Sequence, residues 1–219
     1  MDLAGAGEAR GIVVVVDVLR AFTTAAYAFA AGAAEILPVG TVREALGLRD
    51  AGRADLVMGE VGGLPVAGFD LPNSPAVLEG RDLGGTRIAF RTTNGTQGIV
   101  RAVAADTVLV AGFVVADATA RAVLAGAADR VTVVVTGGEE DRAFAELLGA
   151  RLRGEDPDPA PYLTRARASA HAAPFIDPAR PEFPAQDVPL CLAVDRFDLA
   201  MPVEHEEGHR VIRPADPGT

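Results

Sequence analysis

The sequence predicts an α/β domain on a largely parallel β-sheet, and three observations carry that expectation. Short runs of β-branched and other apolar residues, of the kind buried on both faces of a sheet, recur along the chain, beginning with Ile12–Val16. Ala-rich segments with helical spacing alternate with them, the order of strand, crossover helix and parallel strand. Four of the apolar runs end directly in polar clusters, and open parallel sheets bind ligands beyond the carboxyl ends of their strands.

Taken in order, residues 1–10 read as an arm or short edge element and Ile12–Val16 as a buried strand. Ala21–Ala34 has helical spacing with Gly32 at its C-terminal end, Ile36–Gly40 forms a second short strand, and Val42–Ala51 a helix ending near Gly52. Leu56–Met58 is a strand that stops at Gly59-Glu60. The stretch from Val61 to Pro75, dense in Gly, Pro, Asn and Asp, is a long connection of the functional or disordered kind. Arg87–Phe90 is the next strand, followed by a helix from Gln97 to about Ala105. Thr107–Ala111 and Arg130–Val135 are strands joined by a helix at Ala116–Ala127, and Ala143–Leu152 is helical. Residues 154–186 are rich in Pro and Asp, Val188–Val194 reads as a last strand, and 204–219 as a polar tail. Ala31-Gly32-Ala33-Ala34-Glu35 recurs as Ala125-Gly126-Ala127-Ala128-Asp129. Two readings stand: any Ala-rich crossover gives such a match, or one domain over 1–219 contains two related βαβ lobes, 1–105 and 106–203.

Composition narrows the function. The 219 residues are 49% apolar, enough for a sizeable core. Scarce aromatics, no Trp and a net charge of −10 argue against nucleic acid, which needs clustered cations and stacking surfaces. All 20 basic residues are Arg, so Schiff-base chemistry and a Walker-type lysine are excluded. A phosphate must then be held by Arg, backbone N–H groups or a metal. The lone Cys191, in an apolar run, reads as a buried structural thiol in a reducing compartment. The early apolar run is cut by Asp17 after five residues, too short for a signal peptide or membrane span. The expectation is a cytoplasmic protein without membrane or nucleic-acid partners, with a homodimer as the candidate assembly.

The polar strand ends supply the candidate chemistry. Asp17, between a buried strand and a helix, can cap that helix or bind a metal. Arg20 offers a planar fork for phosphate, carboxylate or sulfonate oxygens, and Thr23 and Thr24 add hydroxyls in the helix's first turn. Thr92-Thr93-Asn94-Gly95-Thr96 presents three hydroxyls and an amide at a flexible turn. Glu60 and Asp70 flank a glycine-rich stretch; with Asp17 and Glu139 they are candidate oxygen ligands for Mg²⁺. Asn73 and Ser74 lie between prolines in a rigid turn that can hold polar groups in place.

Two histidine features are treated separately. His205-Glu206-Glu207-Gly208-His209 fits the H-E-x-x-H pattern of zinc proteases, but Gly208 interrupts the required helix and a third ligand is missing downstream, so a solvated tail is expected. His171, in a stretch of small residues, can be a general acid or a capping side chain.

In sequence order these segments resemble the 2-phosphosulfolactate phosphatase (ComB) family. The resemblance rests on Val15-Val16-Asp17-Val18-Leu19-Arg20-Ala21-Phe22-Thr23-Thr24, Gly59-Glu60-Val61-Gly62-Gly63, Phe69-Asp70-Leu71-Pro72-Asn73-Ser74-Pro75 and Thr92-Thr93-Asn94-Gly95-Thr96. It covers roughly residues 12–152 and returns near Asp187–Val203. It implies a three-layer α/β/α fold and a Mg²⁺-dependent phosphatase acting on 2-phosphosulfolactate, a step of coenzyme M synthesis. In that reading Asp17, Arg20, Glu60 and Asp70 are catalytic. Val61 stands where the family often has Arg, Pro72 replaces a usual Gly, and the loop Thr136–Glu140 keeps the family pattern only in part, with Glu146 retained beyond it. Ser169-Ala170-His171-Ala172 stands for a usual Ser-Arg-His-Gly. The acidic core is thus kept better than the outer cations, so the hydrolytic core can persist with a different substrate. The alternatives are a phospho-metabolite-binding protein without turnover and a hydrolase of a different ester.

Overall fold

In the computed structural model, which describes residues 1–218, one nine-stranded mixed sheet is covered by helices on both faces, the expected three-layer α/β/α arrangement. The strands are β1 (Ile12–Val16), β2 (Glu35–Pro38), β3 (Leu56–Gly59), β4 (Leu71–Pro72), β5 (Arg87–Arg91), β6 (Thr107–Ala111), β7 (Val131–Val135), β8 (Pro202–Glu206) and β9 (His209–Ile212). Their order is β4-β3-β5-β2-β9-β8-β6-β1-β7. The helices are α1 (Ala21–Ala30), α2 (Val42–Asp50), α3 (Pro75–Leu78), α4 (Gly95–Arg101), α5 (Ala116–Ala125), α6 (Glu139–Leu152), α7 (Ala160–Arg167) and α8 (Asp187–Cys191).

The β-branched run fixes the centre of one block. Every residue of β1 is buried, and it pairs in parallel with β6 on one side and β7 on the other, Val16 facing Ala111 and Val135. Asp17 therefore emerges just beyond the last paired residue. In the second parallel block, β4-β3-β5-β2, Gly59 pairs with Pro72 and Arg91, so Glu60 emerges in the same way.

The two blocks are joined by residues that read as a tail. β8 and β9 form a hairpin, turned by Glu207 (φ 50°) and Gly208 (φ 82°), that fills the space between β2 and β6. The paired positive φ values are those of a two-residue hairpin turn, for which the Gly is suited. The polar appearance was misleading because one strand face is wet while Val211 and Ile212 are buried. His205 and His209 lie on these strands, exposed and not on a helix, so the protease-like pattern carries no zinc chemistry. The β2–β9, β9–β8 and β8–β6 ladders are all antiparallel, so the two parallel blocks run in opposite senses along the sheet. The β1–α1–β2 segment accordingly crosses between blocks, whereas α5 links β6 and β7, which both flank β1. The two Ala-rich matches therefore do not sit in equivalent pairings.

A second correction concerns Val188–Val194. It is not a strand: α8 and a following turn occupy it. Buried Asp187 anchors the segment through contacts with distant residues, and these override the β-preference of a short apolar run. Cys191 is buried there, and burial pushes its thiol pKa up, as expected for a structural thiol. Among the described residues no helix is long and apolar enough to cross a membrane.

Candidate functional site

The polar ends of β1, β3, β5 and the loop 170–183 enclose a cavity of about 290 Å³, lined by Asp17, Arg20, Glu60, Asn73, Thr93, Asn94, His171 and Arg180 with Phe175 and Phe183. Its walls thus come from both blocks.

Asp17 fills the capping role expected of it. Its Oδ1 accepts from the Ala21 N–H at 2.9 Å, capping α1, while Oδ2 lies 3.4 Å from the Thr136 hydroxyl. Burial, reinforced by the charges of Glu60 and Glu140, pushes its carboxyl pKa up to about 6. Gly95 is packed against it: a Cβ there would lie 2.8 Å from Asp17 Oδ2 and 2.7 Å from Ala21 Cβ, so the turn needs glycine for close approach. Arg20 is also buried. Its Nη1 donates to Asp187 Oδ2 at 2.9 Å and Nη2 to the Gly63 carbonyl, and its guanidinium lies 5.0 and 5.3 Å from the Phe175 and Phe183 ring centroids.

Glu60 ties two loops together. Its oxygens accept from the N–H groups of Thr93 and Gly63 and from the Thr93 hydroxyl. Thr93 and Asn94 line the cavity, but Thr92 and Thr96 close on one another: each backbone N–H donates to the other's hydroxyl at 3.0 Å. Asn73 faces the cavity with its Oδ1 buried and unpartnered among the described residues. Ser74 turns away and donates to Asp187 Oδ1 at 2.7 Å. Thr23 donates to the Val18 carbonyl, and Thr24 is buried; neither lines the cavity.

Two expected ligands lie elsewhere. Asp70 sits at the start of β4, where it accepts from the Val57 N–H and pairs with Arg49 at 3.2 Å, outside the cavity. Parallel pairing explains it: Met58 lies opposite Leu71, so Asp70 falls level with Val57, short of the strand end that Glu60 crowns. Glu139 is half-buried and paired with Arg165, outside the cavity.

The inward acids of α6 are instead Glu140 and Asp141. Asp141 accepts from the Val18 N–H at 2.8 Å and the Gly137 N–H at 2.7 Å, binding α6 to the end of β1. Burial, then the charges of Asp17 and Glu140, raise its pKa well above the usual carboxylate range. Glu140 Oε1 lies 2.6 Å from His171 Nδ1. A signal for this phase existed: Glu140, Phe144, Leu147 and Leu148 form one buried stripe at helical spacing, while Glu139 lies off it. Asp187, Arg180 and the two Phe residues lie in a segment without periodicity, and nothing local marked them.

Comparison with known proteins gives the same assignment. A family model described as 2-phosphosulpholactate phosphatase matches residues 2–173. A Bacillus subtilis (strain 168) protein named "Probable 2-phosphosulfolactate phosphatase" is 34% identical over 198 residues, 88% of this chain and 87% of that protein. Proteins of the same name from Deinococcus radiodurans and Carboxydothermus hydrogenoformans are 41% and 42% identical, over 71% and 63% of this chain and 65% and 57% of their own lengths. With its strand-end carboxylates in place and this match over most of its length, the chain belongs to the 2-phosphosulpholactate phosphatase family.

Proposed function

We propose that this protein is a Mg²⁺-dependent phosphatase that hydrolyses a small acidic phosphate monoester, 2-phosphosulfolactate, to 3-sulfolactate and phosphate. The observation that carries the reading is that Asp17 and Arg20 line one cavity, a carboxylate and a guanidinium brought there from the end of the same strand. The names of the relatives supply the substrate.

The site's charge balance supports a metal. A substrate with phosphate, sulfonate and carboxylate groups brings several negative charges into a cavity already lined by Asp17 and Glu60, against Arg20 and Arg180. Arg20 is moreover neutralised by Asp187. A divalent cation offsets that excess. Among the described residues no three acidic, His or Cys side chains are grouped to enclose an ion. Mg²⁺ ordinarily takes one or two carboxylates beside water and substrate oxygens, not an all-protein cage. Asp17 and Glu60 would hold it, with the unpartnered Asn73 Oδ1 as a neutral donor. The chemistry such an ion supplies is neutralisation of charge on the phosphate oxygens.

The chain's own residues do the rest. Arg20, fixed by Asp187 and two aromatic rings, orients the phosphate and stabilises charge on its oxygens without reorganising. Thr93 and Asn94 position it, and Arg180 takes an outlying anionic group. A cytoplasmic setting accords with the buried, unpaired Cys191.

The test is phosphate release from 2-phosphosulfolactate by the purified protein, with Mg²⁺ and with chelator. Release that stops with chelator and returns with Mg²⁺ is expected. Tight binding of a phosphate ester with no release from any member of a broad panel would favour the non-catalytic binding reading instead.

A further inference from the structure

The hydrolysis just proposed leaves one chemical need unmet: the leaving group is a secondary alkoxide, a strong base that departs poorly without a proton. We infer that His171 is the general acid that protonates this oxygen, and that Glu140 is the positioning residue that orients it. The inference rests on the phosphatase reading and adds a residue to it.

His171 lines the same cavity as Asp17 and Arg20, but reaches it from the loop after α7. Its Nδ1 is engaged by Glu140 Oε1 at 2.6 Å, whereas Nε2 has no hydrogen-bond partner among the described residues. With Glu140 ionised, the Nδ1–H donates to it, which leaves Nε2 to carry a transferable proton toward a ligand. Glu140 is itself buried, with one oxygen on His171 and the Gly138 N–H and the other unpartnered. This is the arrangement of a base oriented by a third group that recurs in hydrolases.

Other groups with a proton to give are less suited. Asp17 lies under Gly95 with Oδ1 committed to α1, and Glu60 is occupied by three donors. The Arg side chains do not release protons in this range. The charged groups facing His171 are Glu140, then Asp17; the hydrogen bond to Glu140 holds the imidazole pKa above its usual value, against partial burial. The same hydrogen bond favours the imidazolium form, the form with a proton to give.

The step balances simply. The bond between phosphorus and the ester oxygen breaks with its electron pair left on that oxygen, and the Nε2 proton moves onto it, giving alcohol and neutral imidazole. The oxygen added to phosphorus comes from water, whose released proton restores the imidazolium.

The experiment compares leaving groups. Wild type, His171→Asn and Glu140→Gln are assayed on 2-phosphosulfolactate, whose leaving group is an alkoxide, and on 4-nitrophenyl phosphate, whose leaving group needs no proton. In His171→Asn, kcat/KM should fall about 10²–10⁴-fold on the alkyl ester and less than about tenfold on the aryl ester. The basic limb of the pH profile on the alkyl ester should disappear. Glu140→Gln should move that limb to lower pH, a readout that loss of packing alone would not give. Equal losses on both esters, or a retained basic limb in His171→Asn, would overturn the inference while leaving the phosphatase reading intact. A wild type that cleaves no phosphate ester overturns both.

Discussion

Arg20 and Asp187, 167 positions apart in sequence, form a buried ion pair with Nη1–Oδ2 at 2.9 Å. The same carboxylate accepts from the Ser74 hydroxyl and the Ala76 N–H, so one side chain joins β1's polar end, α3 and α8. Asp187→Ala leaves the guanidinium buried and uncompensated, a loss of about 3–5 kcal/mol for pairs of this kind. Denaturant unfolding should show that loss. The double variant Arg20→Met/Asp187→Leu should recover much of the stability but none of the phosphatase activity. Recovered activity would show that Arg20 only holds the fold.

Asp17 should trade stability for function. Its carboxyl pKa is raised from 3.8 to about 6, so the folded state favours the neutral form. A raised carboxyl pKa means that stability is highest below the unfolded value and declines as pH rises toward 6. At pH 7 the penalty is about 3 kcal/mol, two pKa units at about 1.4 each. Asn keeps an Oδ1 for the Ala21 N–H and removes the charge. Asp17→Asn should therefore abolish phosphate release yet unfold at higher denaturant than wild type in chelator. Added Mg²⁺ should stabilise wild type and not the variant; an equal response would remove Asp17 from the proposed metal site.

These residues show what the sequence made legible. Asp17 and Glu60 were readable because a buried strand has to end where its side chains turn polar, and an apolar run marks that end within a residue or two; Arg20 follows about one helical turn after Asp17. Asp70 failed the same logic, since a parallel partner can start one register behind, and only pairing reveals that. Glu139 failed because helix phase advances about 100° per residue, which turns it off the buried face that Glu140 and Asp141 share. Asp187 and the aromatic wall around Arg20 were silent, being held by contacts across the chain rather than by local pattern. The β8–β9 hairpin was hidden because half of its residues are properly polar.

Glu35, the first residue of β2, gives a pH-dependent prediction. Burial opposes its charge, but hydrogen bonds from Arg53 and Arg213 outweigh it and hold the carboxyl pKa below the usual range. A lowered carboxyl pKa contributes stability above the unfolded value, and that contribution is lost as pH falls through the folded one. Wild type should lose stability on going from pH 6 to pH 3 more steeply than Glu35→Gln in chemical unfolding. Parallel curves would mean that the Arg213 network adds nothing to folding.

The hairpin yields the most severe prediction. A chain ending at Leu199 loses β8 and β9, the strands that join β2 to β6. It also loses buried Met201, Val211 and Ile212, side chains whose burial is worth roughly 1.5–3 kcal/mol each. The deletion bares the unpaired edges of β2 and β6, which invite association with other chains. It also removes Arg213, a partner of Glu35. The losses exceed a typical margin of 5–15 kcal/mol only in part through burial; the uncoupling of the two blocks should do the rest. The truncated chain should show no cooperative thermal transition and should sediment as aggregates. Ile212→Ala, with the hairpin kept, should unfold cooperatively with a loss of about 2–5 kcal/mol. If the truncated chain instead melts cooperatively and releases phosphate, each block must hold its share of the cavity without the hairpin, and the sheet order would not be what brings Asp17 and Glu60 together.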